Sequence, residues 1–177
     1  SPNYPWLGAV GINIDIRSDR LWSADQTADT HIQTPDFRIP QFDADAVLVF
    51  TLYPGVSHRI LQAALDSSQA RALIIRSYGV GNPPDANQAL MQLLADACQR
   101  GLVVVNLSQC AHGPVVQGAY ATGATLNRIG VTAGSDLTLE AAFAKLHWLL
   151  ACGYSCEEIR GLMAVPLAGE CCDNREH

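Results

Sequence analysis

The sequence predicts an α/β domain in which helices cover both faces of a parallel sheet, giving three layers. Three apolar runs rich in β-branched residues begin at residues 46, 72 and 102, and segments of helical periodicity follow the first two. Helices are the usual crossovers between parallel strands. With 177 residues, 49% of them hydrophobic, the chain can bury one main core.

The region before the first of these runs has a different character. From Ala9 to Ile16 apolar and polar residues alternate with the period of a half-buried strand. Residues 17–45 are polar and interrupted by prolines, which predicts a linker arm. The chain opens at Ser1 without a methionine, so we expect a truncated or excised product. The isoleucines predicted to share one side of the strand are Ile12, Ile14 and Ile16.

Helix starts carry recognisable signals. Ser57 can cap the helix after the first strand, and Asp85 with Gln88 resembles a capping box for the second helix. Ser155 with Glu158 is a capping box for the last helix. These three helices are therefore predicted to begin directly after their cap residues.

The segment after the third strand is harder to interpret. It is rich in glycine, and we expect at most a short helix there. Apolar residues at helical spacing between Leu139 and Leu150 then predict a strong amphipathic helix that ends at Gly153. The α/β domain is predicted to cover residues 46–170, with 171–177 as a tail.

Composition excludes several classes of function. A formal net charge of -6 disfavours nucleic acid and anionic membranes as partners. No apolar stretch reaches the roughly 20 residues that span a bilayer, and no leader is present, so we expect a soluble, cytoplasmic protein. The six cysteines lack metal-site spacing, and Cys171, Cys172 and His177 lack a fourth ligand. We therefore expect no metal. Gly79-Val80-Gly81 is only a partial glycine fingerprint for a dinucleotide, so we expect no cofactor either.

Polar residues follow each predicted strand, where ligands collect in open parallel sheets. Arg76 can hold a carboxylate in a bidentate manner, although it could equally cap a helix end or form an ion pair. Asn82 and Ser108 offer hydrogen bonds to an amide, and Cys110 lies close to Ser108 in sequence. Together with further polar residues at the strand ends, these four residues form a donor-rich set suited to an amide or a carboxylate. The further residues are Tyr53, Ser77, Asn106, Gln109 and His112.

Five segments between about Thr51 and Leu150 carry a more specific signal, because they occur in the order and at nearly the spacing of a known family. They are Thr51–Gly55, Arg76–Asn82, Val103–Cys110, Gly118–Gly123 and Asp136–Ala141. Together they resemble the carboxy-terminal domain of the bacterial cytoplasmic (type I) L-asparaginases. Ser108 stands where this family often has threonine, which keeps the hydroxyl.

The resemblance implies a flavodoxin- or Rossmann-like fold and a parent enzyme that hydrolyses L-asparagine to L-aspartate and ammonia. In that family the amino-terminal domain supplies two threonines, an aspartate and a lysine to catalysis. No Thr-Gly-Gly-Thr segment occurs in this chain, so we expect no catalytic residues here and no activity from the chain alone.

The family also implies two contributions from this domain. One is a homo-oligomer interface, in a dimer or a tetramer, that completes the site of a neighbouring subunit, with Asn82 as the first candidate. The other is a regulatory site for L-asparagine formed by Arg76, Asn82, Ser108 and Cys110. The partners implied are L-asparagine, further copies of the protein and the missing N-terminal domain. Ser1-Pro2-Asn3 resembles the end of that domain in the family, so we expect residues 1–16 to be its end.

Two other interpretations remain open at this point. The chain could be a free-standing amino-acid-binding or sensing module that uses the same strand-end pocket without chemistry. It could also be a purely structural oligomerisation domain. The ordered motif segments favour the enzyme domain.

Overall fold

A computed structural model of the chain describes residues 7–18, 39–84, 86–117 and 121–172. The chain divides into two units, and the boundary between them lies between Ile39 and Pro40. Most of the predicted linker, residues 19–38, falls outside the described residues. In the part of the chain that is described, no helix combines the length and the apolar character needed to cross a membrane.

The described part of the first unit is a β-hairpin, so the prediction of one strand from Ala9 to Ile16 is wrong. Strands β1 (Gly8–Val10) and β2 (Ile14–Ile16) pair antiparallel, with Val10 opposite Ile14. Gly11 and Asn13 are turn-forming residues, and the Gly11 N–H donates to the Asn13 carbonyl at 2.9 Å. The turn interrupts the strand although the alternation of side chains continues through it. Ile12, Ile14 and Ile16, the predicted apolar side, are all exposed in this chain.

The second unit contains a four-stranded parallel sheet in the order β3-β4-β5-β6. Its strands are β3 (Val47–Thr51), β4 (Ala72–Ser77), β5 (Val103–Ser108) and β6 (Thr132–Ala133). Its helices are α1 (His58–Ser67), α2 (Gln88–Gln99), α3 (Ala121–Arg128), α4 (Leu139–Ala151) and α5 (Cys156–Leu162). Strand β6 is too short to show a period in the sequence and was not predicted.

Two apolar cores, one on each face of this sheet, confirm the three-layer α/β class. On one face β4 and β5 pack with α4 and α5, and on the other face they pack with α1 and α2. Adjacent residues alternate between the faces, as the pleat requires: Ile74 belongs to the α4–α5 core and Ile75 to the α1–α2 core. Strand β3 was predicted to be covered on both faces, yet Val49 is exposed because β3 is the edge strand.

The caps follow the predictions with one exception. Ser57 caps α1, and Ser155 with Glu158 forms the predicted capping box of α5. Helix α2 is capped by Asn87, whose side-chain oxygen accepts from the Leu90 N–H at 3.1 Å. Asp85, the predicted cap, lies outside the described residues. Asn87 takes the cap position because it stands directly before the first helical residue.

After α5 the chain forms a segment that we call the C-terminal clasp, Met163–Cys172. Lys145 on α4 is buried and forms an ion pair with Glu170 in the clasp, with 2.6 Å between Nζ and Oε1. Its Nζ also donates to the Val165 carbonyl at 2.5 Å. Cys171 is buried in the α4–α5 core, so the packed structure continues past the predicted boundary at residue 170.

Candidate functional site

The carboxyl ends of β3, β4 and β5 meet at one edge of the sheet, as the sequence predicted. Thr51 is in register with Arg76, and Ser77 with Ser108. Gln109 follows β5, and its Nε2 donates to the Leu52 carbonyl at 2.7 Å and to the Arg76 carbonyl at 2.9 Å. One side-chain amide therefore ties the ends of two neighbouring strands together.

Arg76 lies at this edge with its side chain half-buried. Its register partner on β5 is Leu107, which belongs to the α4–α5 core, so the pleat places Arg76 on that face. Within the described residues its Nε is buried and has no hydrogen-bond partner. A buried donor without a partner is costly, and such groups are often completed by a ligand.

The opposite face of the same edge holds a buried network of neutral side chains. The Ser77 hydroxyl donates to Asn106 Oδ1 at 2.6 Å, and both residues are fully buried. Asn106 Nδ2 donates to the Gly81 carbonyl at 3.0 Å and to Gln117 Oε1 at 3.3 Å. Every polar atom of the Asn106 amide thus has a partner. The sequence predicted that Ser77 and Asn106 lie at the strand ends, but it did not predict that they bond to each other or to Gln117.

The loop after β4, Tyr78–Asn82, carries the second predicted site residue. Tyr78 and Asn82 pair through their backbones, with the Asn82 N–H donating to the Tyr78 carbonyl at 2.8 Å. Gly81 has a φ of 109°, and a Cβ at that position would lie 2.6 Å from Val115 Cγ1. Glycine is required there by conformation and by space. Asn82 is half-buried at the end of this loop.

Ser108 and Cys110, the other two predicted residues, are linked to this loop. The Ser108 hydroxyl donates to the Gly79 carbonyl at 2.5 Å and accepts from the Cys110 N–H at 2.9 Å. Cys110 is an exposed free thiol. Ser108 is therefore hydrogen-bonded both to Cys110 and to the loop that carries Asn82, whereas Arg76 approaches from the other face of the sheet. One ligand can reach both only beyond the strand ends.

This edge carries groups that can bind a polar ligand. It offers a guanidinium for a carboxylate, and a hydroxyl and an amide for neutral polar groups. In the described ranges no three His, Cys, Asp or Glu side chains are grouped so as to hold a metal.

Three cysteines outside this edge have thiols with a raised pKa. Burial raises the pKa of the Cys98 and Cys171 thiols. A hydrogen bond to the Asp136 carboxylate raises the pKa of the Cys172 thiol. A raised pKa lowers the fraction of thiolate, which is the reactive form.

Comparison with known proteins adds a family to this geometry. Residues 46–163 match the family described as Glutaminase/Asparaginase C-terminal domain. The chain is 48% identical over 171 residues to L-asparaginase 1 of Escherichia coli, an alignment that covers 96% of this chain and 47% of that protein. It is 33% identical over 171 residues to the human 60 kDa lysophospholipase, covering 28% of that protein.

Solved structures give the same result. L-asparaginase I from Vibrio cholerae superposes with a TM-score of 0.81 at 38% identity, over 97% of this chain and 49% of that one. The thermostable L-asparaginase from Thermococcus kodakarensis superposes with a TM-score of 0.77 at 26% identity, over 96% and 48%. The chain spans about half the length of the E. coli protein and of both structures.

Proposed function

Because the chain belongs to the Glutaminase/Asparaginase C-terminal domain family, we propose that it serves as the C-terminal domain of an L-asparaginase, an amidohydrolase that converts L-asparagine to L-aspartate and ammonia. The observation that carries this proposal is the 48% identity to E. coli L-asparaginase 1 across 96% of the chain. The free-standing sensing module is less favoured, because this similarity extends beyond the strand-end residues that such a module would need.

On this proposal the chain contributes to an asparaginase without performing the hydrolysis itself. Amide hydrolysis through an acyl-enzyme needs a nucleophile activated by a neighbouring base. The strand edge contains no such pair among the described residues, and the sequence contains no Thr-Gly-Gly-Thr segment. The catalytic groups would come from an N-terminal asparaginase domain.

The regulatory role of the strand edge is supported by its unmatched donor. The Arg76 guanidinium would bind the α-carboxylate of L-asparagine, whose binding would also give the buried Nε a partner. Ser108 has used its one hydrogen on Gly79, so its remaining lone pair would accept an N–H from the ligand. Asn82 and Cys110 would complete the pocket.

We also propose that the protein is a homo-oligomer, a dimer or a tetramer, in the cytoplasm, and that Asn82 completes the asparaginase site of a neighbouring subunit. Helix α4 supports the oligomer because its outer side exposes Phe143 and Trp148 at 38% and 40%. Exposed large apolar side chains are enriched at protein interfaces. All six cysteines are free, which suits a reducing compartment.

A fusion protein tests the catalytic proposal. We expect the 177-residue chain alone to release no ammonia from L-asparagine above the buffer rate. We expect the same chain, joined to the part of E. coli L-asparaginase 1 that precedes the aligned region, to hydrolyse L-asparagine. Turnover by the isolated chain, or a folded but inactive fusion, would contradict the proposal.

Titration calorimetry tests the regulatory site. Loss of a charge-assisted hydrogen bond typically costs about 1.5–3 kcal/mol, so Arg76→Ala should weaken L-asparagine binding roughly tenfold or more. Arg59→Ala, an exposed arginine on α1, is the matched control and should leave the affinity unchanged. Equal affinities for the wild type and both variants would refute the assignment of Arg76. If the isolated chain binds no asparagine, the same comparison is made on the fusion.

A further inference from the structure

The loop Tyr78–Asn82 is unusual because each of its five carbonyl groups accepts a hydrogen bond. Backbone N–H groups serve three of them: the Tyr78 carbonyl is bonded by Gly81 and Asn82, the Val80 carbonyl by Val116, and the Asn82 carbonyl by Tyr78. Surface loops usually leave such groups to water. A loop this fully bonded is held in one conformation.

Side chains from β5 serve the other two carbonyls. Ser108 donates its hydroxyl to the Gly79 carbonyl at 2.5 Å, and Asn106 donates Nδ2 to the Gly81 carbonyl at 3.0 Å. Both donors come from one rigid strand, and Asn106 is fully buried. They fix the two glycines, which are the positions where the loop would otherwise bend most freely.

The two donors differ in how completely they are anchored. Asn106 is held in turn by the Ser77 hydroxyl and by Gln117, whose own Nε2 donates to the Val131 carbonyl at 2.8 Å. Ser108 is half-buried and accepts from the Cys110 N–H. Removing Ser108 therefore disturbs the loop, whereas removing Asn106 disturbs the whole strand edge.

We infer that Ser108 and Asn106 are positioning residues, which hold the loop Tyr78–Asn82 so that Asn82 is presented at a fixed place. The inference rests on the proposed role of Asn82 in completing an asparaginase site. A group that completes a site must be held within a fraction of an ångström, and supporting hydrogen bonds from a rigid element supply that precision. Ser108 thus acts on the site through the loop, in addition to any contact with a ligand.

Amide hydrogen exchange on the full 177-residue chain tests the inference without a ligand. In Ser108→Ala the N–H groups of Gly81 and Asn82 should exchange roughly fivefold faster or more, because the Gly79 carbonyl loses its protein partner. Ser108→Thr keeps the hydroxyl and should restore protection. Ser67→Ala is the matched control, since the Ser67 hydroxyl donates to the Ala63 carbonyl at 2.7 Å far from the loop.

Two results would overturn the inference. One is equal exchange at Gly81 and Asn82 in Ser108→Ala and in the wild type. The other is an increase that spreads evenly over β4 and β5, because it would show a general loss of stability. Asn106→Asp removes the Nδ2 donors, places a carboxyl group in the buried site and, where it folds, should accelerate the same two amides. Failure of asparagine binding or of hydrolysis leaves these measurements interpretable.

A double-mutant cycle in the active fusion protein then separates positioning from general stability. If Ser108 acts through Asn82, the variant carrying Ser108→Ala and Asn82→Ala should show the same kcat/KM as Asn82→Ala alone. Ser67→Ala, the control far from the loop, should retain the wild-type value within about twofold. Additive losses in the double variant would overturn the inference.

Discussion

Two buried polar clusters in this domain provide their polar groups with partners in different ways. At the strand edge, Ser77, Asn106 and Gln117 satisfy one another and nearby carbonyls with neutral hydrogen bonds. In the C-terminal clasp, Lys145 and Glu170 do so with an ion pair. The comparison indicates that the bonds within the neutral cluster do not depend on pH, whereas the ion pair in the clasp does.

Both members of the ion pair in the clasp also form hydrogen bonds with the backbone. Lys145 reaches the Met163 and Val165 carbonyls, and Glu170 accepts from the N–H groups of Leu167 and Ala168. Partial burial on its own would raise the pKa of Glu170. The hydrogen bonds from Lys145 and from the backbone outweigh burial and lower that pKa to about 2.

The largest effect should come from removing the cation. Lys145→Met leaves Glu170 without its counterion and leaves two carbonyls without a donor. Breaking a buried pair in this way typically costs about 3–5 kcal/mol of unfolding free energy, measured by urea denaturation. Glu140→Gln, on the exposed side of the same helix, should change stability by less than about 0.5 kcal/mol. A loss below about 1 kcal/mol in Lys145→Met would show that the clasp contributes little.

A smaller effect is expected in the neutral cluster. Ser77→Ala removes the donor to Asn106 Oδ1 from a fully buried position and should cost about 1–3 kcal/mol in the same assay. The control is Ser67→Ala, whose hydroxyl is exposed. If Ser77→Ala destabilised the chain as much as Lys145→Met, the distinction between the two clusters would fail.

The smallest effect should appear as a difference in pH dependence. Because the folded pKa of Glu170 lies below the ordinary value of 4.5, its stabilisation is present above about pH 4.5 and is lost as the pH falls towards about 2. The stability difference between the wild type and Glu170→Gln should therefore shrink over that range. The difference between the wild type and Ser77→Ala should stay constant. A constant difference for Glu170→Gln would contradict the assigned charge dependence.

Local signals predicted much of the α/β unit from the sequence. The apolar runs located β3, β4 and β5, and Ser57, Ser155 and Glu158 marked helix starts correctly. These features depend on residues close together in the chain. The hairpin at Gly11 was missed because its turn fits within an unbroken alternation.

The partners of the buried polar groups could not be predicted. That Asn106 meets the Gly81 carbonyl depends on the register of β4 and β5, and that Lys145 meets Glu170 depends on how the clasp packs against α4. Both contacts join residues about 25 apart in the chain. Likewise the alternation that places Arg76 and Ser108 on opposite faces becomes visible only once the strands are paired.

Lys145 is also the only lysine in the chain, and this gives it a practical consequence. A lysine-specific protease has one cleavage site, in the middle of α4, where the side chain is only 5% exposed. Cleavage requires that site to open, because a protease needs an extended, accessible backbone. Digestion of the 177-residue chain would yield only fragments 1–145 and 146–177. The appearance of these two bands would therefore report the opening of α4 and the clasp.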